Sequence, residues 1–313
     1  MLKNRAWQEA LSVRFRRLLS GDPNGVPPWL EVVAAGDDPG WFTPDDAPWI
    51  VHADFATLVG GIRALLMQAL HPGSLAGVAQ HSRYEQDPLG RLSGTIRWLT
   101  VTTFGSQQAI MQEASRVNRL HTRVVGEYVS GQGEQKPYRA ADPDLLLWVH
   151  IAFSDSFLTA HQWYSSVAIP SGKQASAADN YVAQWSRSVQ PLGLQEAPMT
   201  RAELNQQISN FIDQGLLRVD EQTLQVVEFI RKAPLPRSAK PIYSLLFDAA
   251  VVSLPFEIRQ MLGLKARPRW FVQPVVRGLL KTMRFAIGPE SPIEDAAKKR
   301  LVRLGAWSPQ ASK

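Results

Sequence analysis

The sequence predicts an all-α fold, on three observations. Apolar residues recur at three- and four-residue spacing, period-2 alternation is rare, and Gly- and Pro-rich stretches cut the periodic runs into helix-length pieces. With 45% hydrophobic residues over 313 positions, there are enough apolar side chains for a substantial core. Neither an internal repeat nor a linker long enough to separate domains is evident. The expectation is a single globular helical domain: an N-terminal helix and Pro/Gly-rich loops over 1–44, a body over 45–265 and a basic helical extension over 266–313.

Residues 5–19 read as a short amphipathic helix, ended by "SGDPNGVPPW". A second loop, "GDDPGWFTPDDAPW", precedes a long apolar helix from about Val51 to Leu70. It should stop before "HPG", because Pro72 disfavours helical geometry at His71 and Gly73 can take up the turn. His71 then closes a helix and His81 sits in a loop. Asp87 and Pro88 suit the cap and first turn of the next helix, "DPLGRLSGTIRWLTVTTFG". Another runs from about Ser106 to Val129 and ends in the polar "SGQGEQKP".

"ADPDLLLWVHIAFSDSFLTAHQWY" restarts with Asp142 as cap and Pro143 at the first helical position. It is apolar on nearly every face and reads as a central, buried helix. Helices over 180–190 and 200–215 flank "PLGLQEAPMT", where Thr200 and Glu203 have capping-box spacing. Two more, over about 221–231 and 240–262, lead into the C-terminal extension.

Cysteine is absent, which excludes disulfides, thiolate nucleophiles, iron–sulfur clusters and thiolate-ligated haem; a metal would have to be held by His, Asp, Glu or Tyr. No GxGxxG before a helix, Walker loop, HExxH or GxSxG occurs, which disfavours Rossmann hydride transfer and metalloprotease chemistry. "MLKNRAWQEALSVRFRRLLSGDP" lacks the uncharged run of a signal peptide, and Leu58 to Leu70 is short for a bilayer and interrupted by Arg63. A soluble, cytoplasmic protein is expected. The net charge of +6 is scattered except over Gly263 to Phe285, "GLKARPRWFVQPVVRGLLKTMRF". That segment reads as a helix with a basic solvent face, or as a peripheral contact with a membrane surface or an apolar acidic ligand. No nucleic-acid motif accompanies the charge, so nucleic acid is not an expected partner.

Six histidines remain as candidates for chemistry. Val117, Leu120, His121, Val124, Val125 and Tyr128 fall at helical spacing on one face, which puts His121 in a core-facing stripe. A buried imidazole needs partners, so His121 is either bonded to a backbone carbonyl or the axial ligand of a haem iron. Arg91, Thr95 and Thr102 share a helix face with Trp98 and Leu99. They form either an ordinary surface pair with a back-bonded threonine, or donors to a bound oxygen species. His71 and His81 can cap carbonyls, ligate a metal or hold haem propionates. His150 and His161, eleven apart, share a face of the apolar helix and either line a pocket or are satisfied core histidines.

Taken in order, "LLMQALHPGSLAGVAQHSRYEQDPLGRLSGT", "FG", "VNRLHTRVVGEY" and "YRAADPDLLLWVHIAFSDSFL" resemble the catalytic domain shared by MpaB-type oxygenases and latex-clearing rubber oxygenases. "LGLQEAPMTRAEL" and "LPFEIRQMLGL" are similar to the later portion of MpaB-type sequences. The resemblance spans roughly residues 45–265. It implies a globin-reminiscent helical domain around a buried, non-covalent haem b whose iron is held by a histidine.

The corresponding residues look like His121 for the iron, Arg91 and Thr95 for the distal side, and His71, His81, Trp98 and His150 for the surroundings of the haem. Rubber oxygenases carry a lysine immediately before the threonine that can close the distal position; this chain has Gly94 there. The resemblance thus implies a haem-dependent oxygenase using dioxygen or peroxide on an apolar, unsaturated or isoprenoid substrate, with oxidative C=C cleavage ranked above hydroxylation. The alternatives are a haem-binding protein without turnover, and a helical scaffold or membrane-surface binding protein.

Overall fold

The computed structural model of the chain describes residues 13, 26–81, 88–288 and 291–309, with the backbone alone at 88–92. The expected helix over 5–19 and the Asp87 cap lie outside the described residues, of which residue 13 is the one described within 5–19. Fourteen α-helices, one 3-10 helix and one two-stranded antiparallel sheet make up the described chain, so the fold is all-α.

In chain order, α1 (Leu30–Ala34) and α2 (Ala47–Ala53) are short, and α3 (Thr57–Gln68) begins after a break. The helix expected from Val51 to Leu70 is therefore two. Asp54 causes the interruption: its carboxylate accepts from Ala56 N at 2.8 Å and its carbonyl from the Thr57 hydroxyl at 2.7 Å, bonds that compete with helix continuation. A second correction concerns 71–81, expected as a stop and a loop, which forms α4 (Pro72–His81). Pro72 occupies the first turn, where a missing N–H costs nothing, so it starts a helix rather than ending one.

Helix α5 (Pro88–Phe104) starts at Pro88 as expected, and α6 (Gln107–His121) follows at once. The expected continuation of α6 to Val129 is wrong. The chain leaves the helix at His121 and makes a hairpin, β1 (Val125–Val129) with β2 (Gln135–Arg139), pairing Val125 with Arg139 and Val129 with Gln135. Val124 and Tyr128 point inward. Four-residue spacing satisfies both a helix face and every second strand position, so the apolar pattern alone fits either. Gly133, at φ +85°, supplies the turn conformation that settles it.

Helix α7 (Pro143–Tyr164) begins where Asp142 and Pro143 place it, although the Asp142 carboxylate binds Arg139 N (2.8 Å) rather than a helix N–H. Helix α8 (Ala177–Trp185) passes into a 3-10 helix over Ser186–Leu192, which divides the helix expected at 180–190. Thr200 caps α9 (Arg201–Asp213), while the Glu203 carboxylate reaches back to Met199 N at 2.7 Å, one residue beyond the cap. Helix α10 (Glu221–Arg231) coincides with its expected span, capped by an Asp220–Thr223 box. Pro255 splits the expected 240–262 helix into α11 (Lys240–Ser253) and α12 (Phe256–Met261). The basic segment is α13 (Arg269–Ile287), and α14 (Pro292–Arg303) closes the described chain.

Among the described residues, contacts form two compact units interleaved in sequence, the first drawn from Met1–Ala53, Ser82–Val117 and Lys281–Lys313, the second from Asp54–His81 and Asn118–Leu280. In the first, α14 packs on α1 and α5. Its buried Arg300 donates to the carbonyls of Val33 and Phe104, the latter at 2.9 Å, satisfying acceptors at the ends of α1 and α5. Asp38 caps α6 through Gln107 N (2.5 Å) and Gln108 N (3.3 Å). Burial opposes ionisation of Asp38, yet these amides, Gly40 N and the charge of Arg300 hold its carboxyl below the usual range.

In the second unit α7 is the central helix, buried along most of its length against α3, with α11 also on α3. Contact is close at Gly60, where an added Cβ would lie 2.7 Å from a ring carbon of Phe157. A buried ionic group sits in this layer. Asp155 receives Arg63 at 2.5 Å and Arg201 at 2.7 Å, and Arg63 further binds Ser156 Oγ (3.0 Å) and the Ser253 carbonyl (3.1 Å). Burial raises the Asp155 carboxyl, but the two guanidiniums overcome it and keep the carboxyl below its ordinary value.

Candidate functional site

Helix α5 carries the polar line of the first unit. Arg91 lies in its first turn, and every residue from Ser93 to Thr100 is partly buried, Ile96, Trp98 and Leu99 included. No face of this stretch is fully covered. A Cβ added at Gly94 would meet nothing within 4 Å, so there is open space immediately before Thr95.

The threonines divide into two kinds. Thr100 and Thr103 bond back to the carbonyls of Ile96 (2.8 Å) and Leu99 (2.7 Å), as helix threonines do. Thr102, fully buried and seven residues after Thr95, has a hydroxyl with no hydrogen-bond partner among the described residues. An unmatched buried hydroxyl costs about 1–3 kcal/mol unless something answers it. Arg97 anchors the helix: Glu113 of α6 accepts from Arg97 Nε at 2.9 Å and from Arg116 Nη2 at 2.6 Å. Burial raises the Glu113 carboxyl, but these two partners bring it below its usual value. Phe104 packs edge-on against Trp49 at 4.8 Å between centroids and belongs to the core.

The second unit holds His71, His81, His121 and His150. The expected core stripe around His121 is corrected by the hairpin: Val124, Val125 and Tyr128 are not on its helix, and Leu120 is 47% exposed. The buried positions of α6 are instead Ala109, Ile110, Glu113 and Ala114. His121 ends the helix half-buried, with Nδ1 out of reach of solvent.

His71 is enclosed by the rings of Tyr128, Trp148 and Phe211, at 6.2, 6.4 and 5.9 Å between centroids. Burial lowers its pKa to about 4. His150, also buried, is pushed down to about 4 for the same reason, with Ser154 Oγ 3.5 Å from Nε2. Both imidazoles are therefore neutral at physiological pH. His81, exposed at the end of α4, donates from Nε2 to the Val125 carbonyl at 2.8 Å. Small residues make this join possible: a Cβ on Gly73 would lie 3.1 Å from Tyr128 and Leu145, and one on Gly77 3.4 Å from Val124. His161 donates to the Val167 carbonyl at 2.8 Å and so fastens the end of α7 to its own loop.

Spacing thus places Thr95, Trp98 and Thr102 on one helix of the first unit, while His71 and Trp148 meet in the second. Sequence reasoning passed over His52, whose Nδ1 lies 2.8 Å from Thr103 Oγ1, and the buried charges Arg63, Glu113, Asp155 and Arg300. A signal existed for two of them, since Arg63 and Asp155 each interrupt an otherwise apolar run.

Residues 49–285 match the family described as the ER-bound oxygenase mpaB/B'/rubber oxygenase catalytic domain. No curated protein and no solved structure matches significantly.

Proposed function

The chain belongs to the mpaB/B' and rubber oxygenase catalytic-domain family, an oxygenase family, and from that premise we propose that it is a haem b-dependent oxygenase of an apolar, unsaturated or isoprenoid-like small molecule. The observation that carries the reading is the incompletely covered α5. Thr95 and Thr102 lie on the side of Trp98 and Leu99; open space adjoins Thr95 at Gly94, and about two turns on the buried Thr102 hydroxyl is unmatched among the described residues. An apolar surface interrupted by hydroxyl donors suits a flat hydrophobic group with polar atoms at its centre or edge.

The donor set fits haem. With no cysteine, an imidazole is the natural axial ligand, and such a ligand needs one nitrogen sheltered and the other accessible. His121, half-buried with Nδ1 shielded, meets the first requirement and is assigned the iron. Bound haem supplies the oxidation chemistry with dioxygen or a peroxide. The chain's own role is to orient and to exclude water. Arg91 and Thr95 would supply hydrogen-bond donors to the oxidant, and Trp98 would offer apolar contact. By the family resemblance His71 and His150 would border the cofactor as neutral groups, adding no charge that would draw in water, while His81 holds α4 to β1. Gly94, in place of the lysine of rubber oxygenases, would offer no side chain to close the distal position. That difference favours small substrates over polymeric rubber.

The test is an absorption spectrum of protein purified with haem supplied, recorded oxidised, reduced and reduced with carbon monoxide. A stoichiometric Soret band that shifts in both steps is expected, with His121→Ala losing most of the bound haem. A His121→Ala variant that retained full haem and an unchanged spectrum would move the ligand to His71, His81 or His150. Thr95→Val should keep haem but slow substrate-dependent oxygen uptake. If wild-type protein binds haem yet consumes no oxygen with any unsaturated apolar substrate, it is a haem carrier instead.

A further inference from the structure

Helix α13 has two apolar faces, and only one of them is packed. Val272, Val276 and Leu280, four residues apart, are buried. Beside them Arg269, Gln273 and Arg277 form a row fastened to the end of α7. The Arg269 guanidinium stacks 3.9 Å from the Trp163 ring centroid, and Gln273 Nε2 and Arg277 Nε donate to the Trp163 carbonyl at 3.0 and 2.6 Å. These two rows set the roll of the helix, so its third face cannot turn inward. That face carries Trp270 with Pro274, and Phe271 with Val275. Trp270 is 79% exposed, Phe271 42% and Val275 37%, the two rings standing 6.2 Å apart between centroids. Large aromatic side chains held in water on a fixed face mark a contact surface.

The surrounding charge selects the partner. No Asp or Glu occurs between Glu257 and Glu290, while Lys265, Arg267, Arg277, Lys281 and Arg284 lie within or just before the helix. Some of this charge is engaged inside the protein, since Arg267 reaches Asp248 at 3.3 Å. Lys265 and Lys281 stand exposed. Lysine is depleted from protein–protein interfaces, whereas Trp and Phe bordered by Lys and Arg compose a helix that lies in the headgroup layer of an anionic bilayer. There the long cationic stems reach the phosphates while the rings enter the acyl boundary. We propose that α13 docks the chain peripherally on an anionic lipid surface, with Trp270 and Phe271 inserted and Lys265 and Lys281 on the headgroups. This proposal stands independently of haem binding.

Flotation of the full chain with phosphatidylcholine vesicles, with and without phosphatidylserine, tests it. Binding should require phosphatidylserine, weaken at high salt, and fall at least about tenfold in Trp270→Ala/Phe271→Ala. Lys265→Gln/Lys281→Gln should lose roughly fivefold per cation removed, which keeps the test informative if the aromatic pair variant folds poorly. Met199→Ala/Leu224→Ala, which removes exposed apolar side chains elsewhere, should bind as wild type. Absence of vesicle binding at low salt, or binding indifferent to both the aromatic and the lysine pairs, would overturn the proposal. So would a dimer in light scattering that Trp270→Ala/Phe271→Ala dissolves without any lipid binding, since the face would then belong between copies of the chain.

Discussion

A carboxylate between two guanidiniums in a dry interior is stable only as a set. Asp155 holds Arg63, whose side chain is as buried as its own, so Asp155→Ala strands a cation with no counter-charge. Breaking a buried pair in this way costs about 3–5 kcal/mol, whereas replacing both members by apolar residues is often nearly neutral. Urea denaturation should therefore show a large loss for Asp155→Ala and recovery of most of it in Arg63→Met/Asp155→Leu; a loss under about 1 kcal/mol for the single variant would contradict the pairing. The buried histidines carry a pH dependence. Burial keeps His71 and His150 neutral down to about pH 4, while an unfolded imidazole protonates near 6.5. Above 6.5 neither state gains; below it the unfolded chain takes up protons that the folded chain refuses. Stability should fall as pH drops from 6.5 toward 4, by up to about 3 kcal/mol per histidine. His150→Gln, which cannot titrate, should flatten the decline of Tm with acid, and an unchanged slope would show that His150 is not buried neutral.

At the scale of the element, helix α3 contains its own control in two adjacent glycines. A Cβ at Gly60 would crowd the Phe157 ring and backbone, while one at Gly61 would meet nothing within 4 Å. Gly61→Ala should stabilise by about 0.5–1 kcal/mol by removing helix-interior flexibility. Gly60→Ala should destabilise by about 1–3 kcal/mol by prising α3 from α7. Thermal melts read both, and equal signs would mean that the α3–α7 contact is not close-packed. The same reasoning applies to Gly94 in α5. Gly94→Lys meets open space at its Cβ and, on the haem reading, should slow carbon monoxide binding without lowering Tm.

Within the second unit, α7 is surrounded by α3 and its neighbours, and fifteen of its residues are buried. Its central amides, around Ile151 to Ala160, should be among the slowest to exchange with deuterium, and those of the hairpin turn at 130–134 among the fastest. Exchange mass spectrometry that found α7 no slower than the turn would remove it from the centre of the core. Legibility follows the same layering. The start of α7 and the span of α10 are readable because a cap, a proline or a charge coincides with the start of an apolar run. The hairpin and α4 are ambiguous in sequence for different reasons. Four-residue spacing suits helix and strand alike, and Pro72 marks a helix start as readily as a stop. Of the candidate site, the common face of Thr95, Trp98 and Thr102 follows from spacing, but the open flank at Gly94 and the unmatched Thr102 hydroxyl do not.

The sequence by itself determined the helical class, the exclusion of thiolate chemistry, and the family, because periodicity, residue absence and ordered motifs are properties of the string. Only the tertiary structure decided which polar groups are buried and with whom. Arg63, Asp155 and Arg201 are far apart in the chain, and no local propensity relates them; they pair because packing of α3, α7 and α9 buries Arg63 and Asp155 away from water and brings the partly exposed Arg201 onto the same carboxylate. The same holds for α13, whose amphipathic pattern is visible in sequence. Which of its two apolar faces meets the core was decided by the ties of Arg269, Gln273 and Arg277 to Trp163.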